Sequence, residues 1–150
     1  MLDNLLMNLS EYAYLSLFVT SFLASTVLPL GSETLVVVLI RSGFNFFAVV
    51  MVSTIGNYLG SCTTYYIGFK GRSDIIEKYF SISEKQLRKA DSWFDKYGPF
   101  LLLFTWLPLV GDAITASGGI LKLDFRVFSI YVFIGKFLRY FAVSYLALNL

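Results

Sequence analysis

Pro29-Leu30-Gly31-Ser32-Glu33 and Pro108-Leu109-Val110-Gly111-Asp112 are the two stretches on which the fold turns. Each sets a proline, a glycine and a carboxylate within five residues of one another, with apolar sequence on both sides. Proline removes a backbone donor, glycine loosens a helix, and a carboxylate in hydrocarbon loses its hydration. Carrying that combination twice points to two broken, re-entrant elements that face each other inside a membrane. Pro29, Gly31, Pro108 and Gly111 would form the hairpins. An uninterrupted, kinked helix through each stretch is the rival topology.

Outward from these stretches the chain falls into blocks. Residues 12–28 are apolar and lead into the first stretch, and residues 34–40 leave it. Residues 44–69 follow as a full span. A polar segment covers 70–97, residues 100–107 lead into the second stretch, 113–121 leave it, and 127–148 make a second full span. At about 1.5 Å per residue, the short pieces 34–40 and 100–107 cover only about a third to a half of the hydrocarbon thickness. The expected architecture is therefore an all-α integral membrane protein of two inverted repeats in one membrane domain. Each repeat is a broken-helix hairpin followed by a full transmembrane helix. The first covers about 10–69 and the second about 98–149, with a surface segment over 70–97 between them.

Composition agrees. Of 150 residues, 57% are hydrophobic, 18% aromatic and only 15% charged, where soluble domains are about a quarter charged. A net charge of +2 offers nothing to nucleic acid. The chain has no histidine and one cysteine, Cys62, so it lacks the commonest metal ligand, the commonest general base and any internal disulfide. No catalytic residue, metal site or cofactor is expected, and the chain is not read as an enzyme. Met1-Leu2-Asp3-Asn4 has no basic start, so a cleaved signal peptide is not expected.

Charge orients the chain. Lys70, Arg72, Lys78, Lys85, Arg88, Lys89, Lys96, Lys122 and Arg126 fall on one face of the inverted arrangement, and Arg41 alone on the other. Positive residues stay inside, which makes 70–97 cytoplasmic in a multi-pass protein of the bacterial inner membrane. Ser83-Glu84-Lys85-Gln86 has the form of a capping box, and Leu87, Ala90, Trp93, Phe94 and Tyr97 recur at helical spacing behind it. Gly98-Pro99 stops that helix. Two readings of the stripe stand side by side. It lies on the membrane surface with Trp93, Tyr97, Lys85, Arg88 and Lys89 at headgroup level, or it packs on the protein's own spans.

Glu33 and Asp112 each sit just before a short exiting segment. They are caps of helix N-termini, groups that bind a proton or cation in a polar cavity, or both. Lys136 and Arg139 lie inside the last span and either snorkel or pair with those acids. Gly56, Gly60 and Gly68 space a contact face for close helix packing. Asn57 between them needs a polar partner, which a site near Glu33 or Asp112 would provide.

Several of these residues carry a resemblance. The Pro29…Glu33 element, Gly56-Asn57-x-x-Gly60…Tyr65-x-x-Gly68 and Tyr97-Gly98-Pro99 are three parts of it. Phe104-Thr105-Trp106-Leu107-Pro108-x-x-Gly111-Asp112, Gly118-Gly119 and Gly135-Lys136-x-x-Arg139-Tyr140 complete it. Together they resemble the DedA superfamily, also called the SNARE-associated Golgi or VTT-domain family, and most of all its small bacterial YqaA-type branch. The resemblance implies two re-entrant hairpins in inverted repeat and a role in moving polyprenyl-phosphate or phospholipid headgroups between leaflets. The larger members' Phe-x-Arg-x-x-Pro-x-x-Arg motif places its arginines at Thr105 and Gly111 here, and their Gly-Asp falls on Gly60-Ser61. Those two arginines and that acid are thus missing.

The expected function is a transporter-like protein that moves a lipid headgroup or small solute. Glu33, Asp112, Asn57, Lys136 and Arg139 would bind substrate or ion, with protons or cations as coupling ligands. Its partners are membrane lipids, and a homodimer is one assembly so small a transporter could take. The alternative is a non-transporting membrane-homeostasis or scaffold factor working through its surface helix.

Overall fold

A computed structural model describes residues 1–26, 31–71, 73–79, 82–107 and 110–150. Pro29 and Pro108, the two expected hairpin formers, lie outside the described residues.

All regular structure among the described residues is helical. The elements are α1 (Leu2–Ala24), α2 (Ser32–Arg41), α3 (Phe46–Phe69), α4 (Ser73–Tyr79) and α5 (Glu84–Tyr97). A 3-10 helix, η1 (Gly98–Trp106), α6 (Val110–Ile120) and α7 (Phe125–Asn149) complete the chain. Two of these, α3 and α7, are long and apolar enough to cross a membrane. By contrast α2, with 10 residues, and α6, with 11, fall well short, since about 20 residues are needed to span.

Local chemistry explains the starts. The Asn45 side chain accepts from the Ala48 amide at 3.0 Å and opens α3. Asp124 accepts from Arg126 and Val127 and opens α7. The capping box of α5 is formed, with the Ser83 amide donating to Gln86 Oε1 at 2.8 Å and the Gln86 amide to Ser83 Oγ at 3.2 Å. Gly98, at φ 69°, ends α5 in a conformation that other residues resist. At the end of α6 the Leu123 amide returns to the Gly118 carbonyl and the Lys122 amide to Gly119. This 6→1 and 5→2 pairing places Lys122 at a positive φ of 56°, a position glycine usually takes.

Three features differ from the sequence reading. The helix leading to the first stretch begins at Leu2 rather than Tyr12. The polar segment holds two helices, α4 and α5. The arm leading to the second stretch is a nine-residue 3-10 helix, where runs longer than about four residues are uncommon. Its thinner backbone lies close under α7: a Cβ on Gly135 would stand 2.7 Å from the Leu103 carbonyl oxygen.

The packing is crossed. Of the two short helices, α2 packs chiefly on α7 and α6 on α3, so each lies against the long helix that ends the other half. Glycine makes these approaches. A Cβ on Gly56 would meet the Phe18 carbonyl oxygen of α1 at 2.7 Å, and one on Gly60 would collide with Ser25 and Phe22. A Cβ on Gly68 would meet the Ala116 carbonyl oxygen of α6 at 2.7 Å. One apolar cluster joins α5, η1 and α6 to the α3 and α7 segments around Tyr65 and Phe128. A second joins α1 and α2 to the opposite ends of α3 and α7.

Polarity is inverted relative to a soluble bundle. Ser53, Asn57, Ser61 and Thr64 run along the buried face of α3, while Leu15, Val19, Val38, Ile130, Ile134 and Leu138 point outward. Exposed aliphatic surface of this extent marks contact with something apolar.

Candidate functional site

The last helix carries the site. Residues 136, 139 and 140 of α7 project from adjacent turns toward the two broken stretches. Arg139 forms an ion pair with Glu33 in the first turn of α2. The Tyr140 hydroxyl shares a 2.8 Å hydrogen bond with the Ser32 hydroxyl, and both residues are fully buried. Lys136, also fully buried, donates from Nζ to the Thr105 carbonyl oxygen at 3.0 Å. The three contacts tie one helix to the first stretch and to η1, the arm that leads to the second.

Each partner is available for a local reason. Gly31 caps α2 at φ 128°, which turns the chain sharply into the helix and sets Ser32 and Glu33 on its first turn. The positive end of α2's dipole favours a carboxylate there. Thr105 lies at the end of η1, where terminal carbonyls lack helical partners and accept an outside donor readily. Gly111 lets the start of α6 lie close against the end of η1, because a Cβ there would collide with the Thr105 backbone. Asp112 follows in the first turn of α6. Lys136 and Asp112 form no ion pair within 4 Å among the described residues.

The structure thus brings Glu33 to Arg139, and Lys136 to η1, the arm that leads to the second stretch. Asn57 goes elsewhere. Its Nδ2 donates to the Ser21 carbonyl oxygen of α1 at 2.9 Å, and Ser25 Oγ donates to the Asn57 carbonyl at 2.7 Å. Its polar partner is therefore helix α1, beside the Gly56–Gly60 approach. The oxygen atoms Ser21 Oγ, Asn57 Oδ1, Ser61 Oγ and Ser144 Oγ are buried with no hydrogen-bond partner among the described residues. On α5, Leu87, Ala90 and Phe94 are in the core, whereas Tyr97 is 54% exposed. Lys89 lies over the Trp93 ring and Arg88 pairs with Glu84. The stripe therefore packs inward along one edge and leaves its aromatic edge open. Ser32, Thr105 and Tyr140 are site residues the sequence reading did not single out. For Tyr140 the signal is its place midway between Lys136 and Ser144, four residues from each, in a buried polar line along an apolar helix.

Among the described residues no cluster of three or more His, Cys, Asp or Glu gathers that could hold a metal. What the arrangement offers is two acids and two bases, held beside broken helices in an apolar setting.

These features define a helical membrane protein with charged groups at broken elements. The VTT-domain family profile matches residues 28–148, and the chain belongs to that family, the DedA superfamily. It is 38% identical over 140 residues to an uncharacterised protein of Haemophilus influenzae, covering 87% of this chain and 85% of that one. It is 33% identical over 132 residues to the inner membrane protein YqaA of Escherichia coli, covering 86% and 87%. It is also 22% identical over 140 residues to the undecaprenyl phosphate transporter A of Staphylococcus aureus, covering 85% and 68%. No solved structure matches the chain.

Proposed function

We propose that this chain moves a lipid headgroup, phospholipid or polyprenyl-phosphate, or a small solute across the inner membrane, with protons coupled through Glu33 and Asp112. The observation that carries the reading is the grip of α7 on the first broken stretch and on the arm that leads to the second: Arg139 on Glu33, Tyr140 on Ser32, and Lys136 on Thr105 of η1.

The lengths of α2, η1 and α6 support hairpins that turn back within the bilayer, and the crossed packing supports two halves inverted against each other. Protonating Glu33 removes the charge that holds Arg139, and so loosens α2 from α7. A guanidinium released in this way is a good receptor for an anionic headgroup, because its fork of donors matches phosphate oxygens. Lys136 stands at Thr105, the position where the larger relatives' motif carries an arginine, and offers a second cation there. The unpartnered oxygens on α1, α3 and α7 support a hydrated interior, since buried polar atoms are normally paired with protein or ordered water. The name of the Staphylococcus aureus relative points to the lipid-phosphate class. Segment 70–97 would then be cytoplasmic, by the charge distribution.

The test is lipid movement in proteoliposomes of the full chain across a pH series. Glu33→Gln and Asp112→Asn should each slow it and flatten its pH dependence. Unaltered rates and an unaltered pH profile in both variants would sink the proposal. The scaffold alternative predicts instead that neutralising Lys85, Arg88 and Lys89 hurts more than neutralising the acids.

A further inference from the structure

The amphipathic helix α5 has more apolar surface than the protein covers. Leu87, Ala90 and Phe94 are used in the core. Trp93 and Tyr97 instead line a groove of about 680 Å³, completed by Phe100 and Phe104 of η1 and by Val110 and Ile114 of α6. Phe100 is 63% exposed and Phe104 49% exposed, so the groove opens outward along an aromatic edge. Its volume falls in the range of sites that enclose a ligand of some tens of atoms.

A second, smaller cavity of about 160 Å³ adjoins it and shares Trp93 and Val110 as a common wall. Its other lining includes Gln86, Lys89 and Ala113, so it has an amide and an ammonium where the groove has only rings and aliphatics. The Lys89 ammonium stands 5.6 Å from the centre of the Trp93 ring, and the Lys96 ammonium 5.3 Å from that of Tyr97. Two cations thus rim the apolar groove. Two acids, Asp91 and Asp95, lie between them in sequence; Asp91 accepts from the Ser117 hydroxyl of α6, and Lys89 is the cation that lines the smaller cavity. An apolar slot with an amide and an ammonium at its head matches a molecule with a long hydrocarbon part and an anionic end.

We propose that the groove between α5, η1 and α6 holds one acyl chain of an anionic phospholipid, with the phosphate against Lys89 and Gln86. The lipid comes from the leaflet on which α5 lies. Val110 and Ile114 flank Gly111 and Asp112 on α6, so a lipid bound here has its chain beside the second broken stretch. The inference rests on the lipid-moving reading and supplies its first binding step.

The chain has two tryptophans, so Trp106→Phe leaves Trp93 as the reporter. The full-length variant is placed in phosphatidylcholine vesicles, and lipids brominated along the acyl chain are added as a minor fraction. Brominated phosphatidylglycerol should half-quench Trp93 at a mole fraction about fivefold lower than brominated phosphatidylcholine, the preference expected for one lysine at an anionic headgroup. Lys89→Gln should remove that preference, and Val110→Phe, which narrows both cavities, should weaken quenching by either lipid. Equal half-quenching by the two lipids overturns the proposal, because it describes annular contact only. So does a Trp93 shielded from both, which means that a second copy or another segment of the chain covers the groove. A preference that survives Lys89→Gln overturns it too. Lipid movement is read separately in the same vesicles. Selective quenching without movement keeps the groove and removes the transport reading, and movement without selective quenching does the reverse.

Discussion

Gly118 and Gly119 are neighbours in sequence and should respond very differently to the same substitution. On Gly119 an added Cβ would overlap the Tyr65 carbonyl oxygen of α3 and stand 2.8 Å from its carbonyl carbon and 2.9 Å from its Cα. All three are backbone atoms, so relief requires α6 to move off α3. Overpacking of this kind costs about 1–3 kcal/mol and more where backbone resists. In a membrane, where helix association depends on such close approach, little offsets it. On Gly118 the same Cβ would find only side-chain ends, Leu102 Cδ2 at 3.5 Å, Leu123 Cδ1 at 3.6 Å and Phe94 Cζ at 3.7 Å. Those are ordinary contacts, and replacing glycine inside a helix is worth about 0.5–1 kcal/mol. Gly118→Ala should therefore be neutral or slightly stabilising, and Gly119→Ala should lose at least about 2 kcal/mol. The measurement is unfolding of purified protein by titrating a denaturing detergent into a mild one, followed by circular dichroism. Equal losses for the two variants, or a Gly119→Ala protein as stable as the parent, would refute the geometry assigned to the α3–α6 approach.

Two further outcomes follow from named contacts. The Glu33–Arg139 pair is largely buried, with side chains 28% and 14% exposed, so Glu33→Gln and Arg139→Met should each cost about 1–3 kcal/mol, below the full figure for a wholly buried pair. The double variant should cost less than the sum, with a coupling of at least about 1 kcal/mol in a double-mutant cycle; additive losses would mean that the pair is not a structural tie. Lys122, held at φ 56°, should give way to glycine with a gain of about 1 kcal/mol, read as a higher midpoint in the same titration. A lower midpoint would show that the lysine side chain holds that turn.

The two long helices were legible because composition alone marks them: 44–69 and 127–148 in sequence correspond to Phe46–Phe69 and Phe125–Asn149. The start of α5 was legible for a different reason, since Ser83 and Gln86 hold their own reciprocal bonds within four residues. What crosses between halves was not legible. Sequence leaves Lys136 and Arg139 as equivalent countercharges, and only the rotation of α7 sends one to Glu33 and the other to a backbone oxygen. No side-chain pattern announces a carbonyl partner such as Thr105, because every residue has one. Ser32 escaped notice beside Glu33, although a hydroxyl next to a hairpin glycine is as expensive to bury unpaired. The 3-10 form of η1 was hidden because Phe-Leu-Leu-Leu-Phe suits any helix, and its close approach to α7 at Gly135 is a contact between distant parts of the chain.

The crossed packing also sets a timetable for making the protein. Glu33 leaves the ribosome about a hundred residues before Arg139, a wait of roughly 5–20 s at roughly 5–20 residues per second. During that interval α2 has no α7 to lie against, and Ser32 has no Tyr140. The first half of the chain therefore cannot finish alone. Its carboxylate must remain at the membrane surface, be held neutral, or be sheltered by the insertion machinery until the final helix arrives. A chain stopped before residue 125 would be left with an uncompensated acid and a short helix without a mate, a state that membrane quality control could recognise.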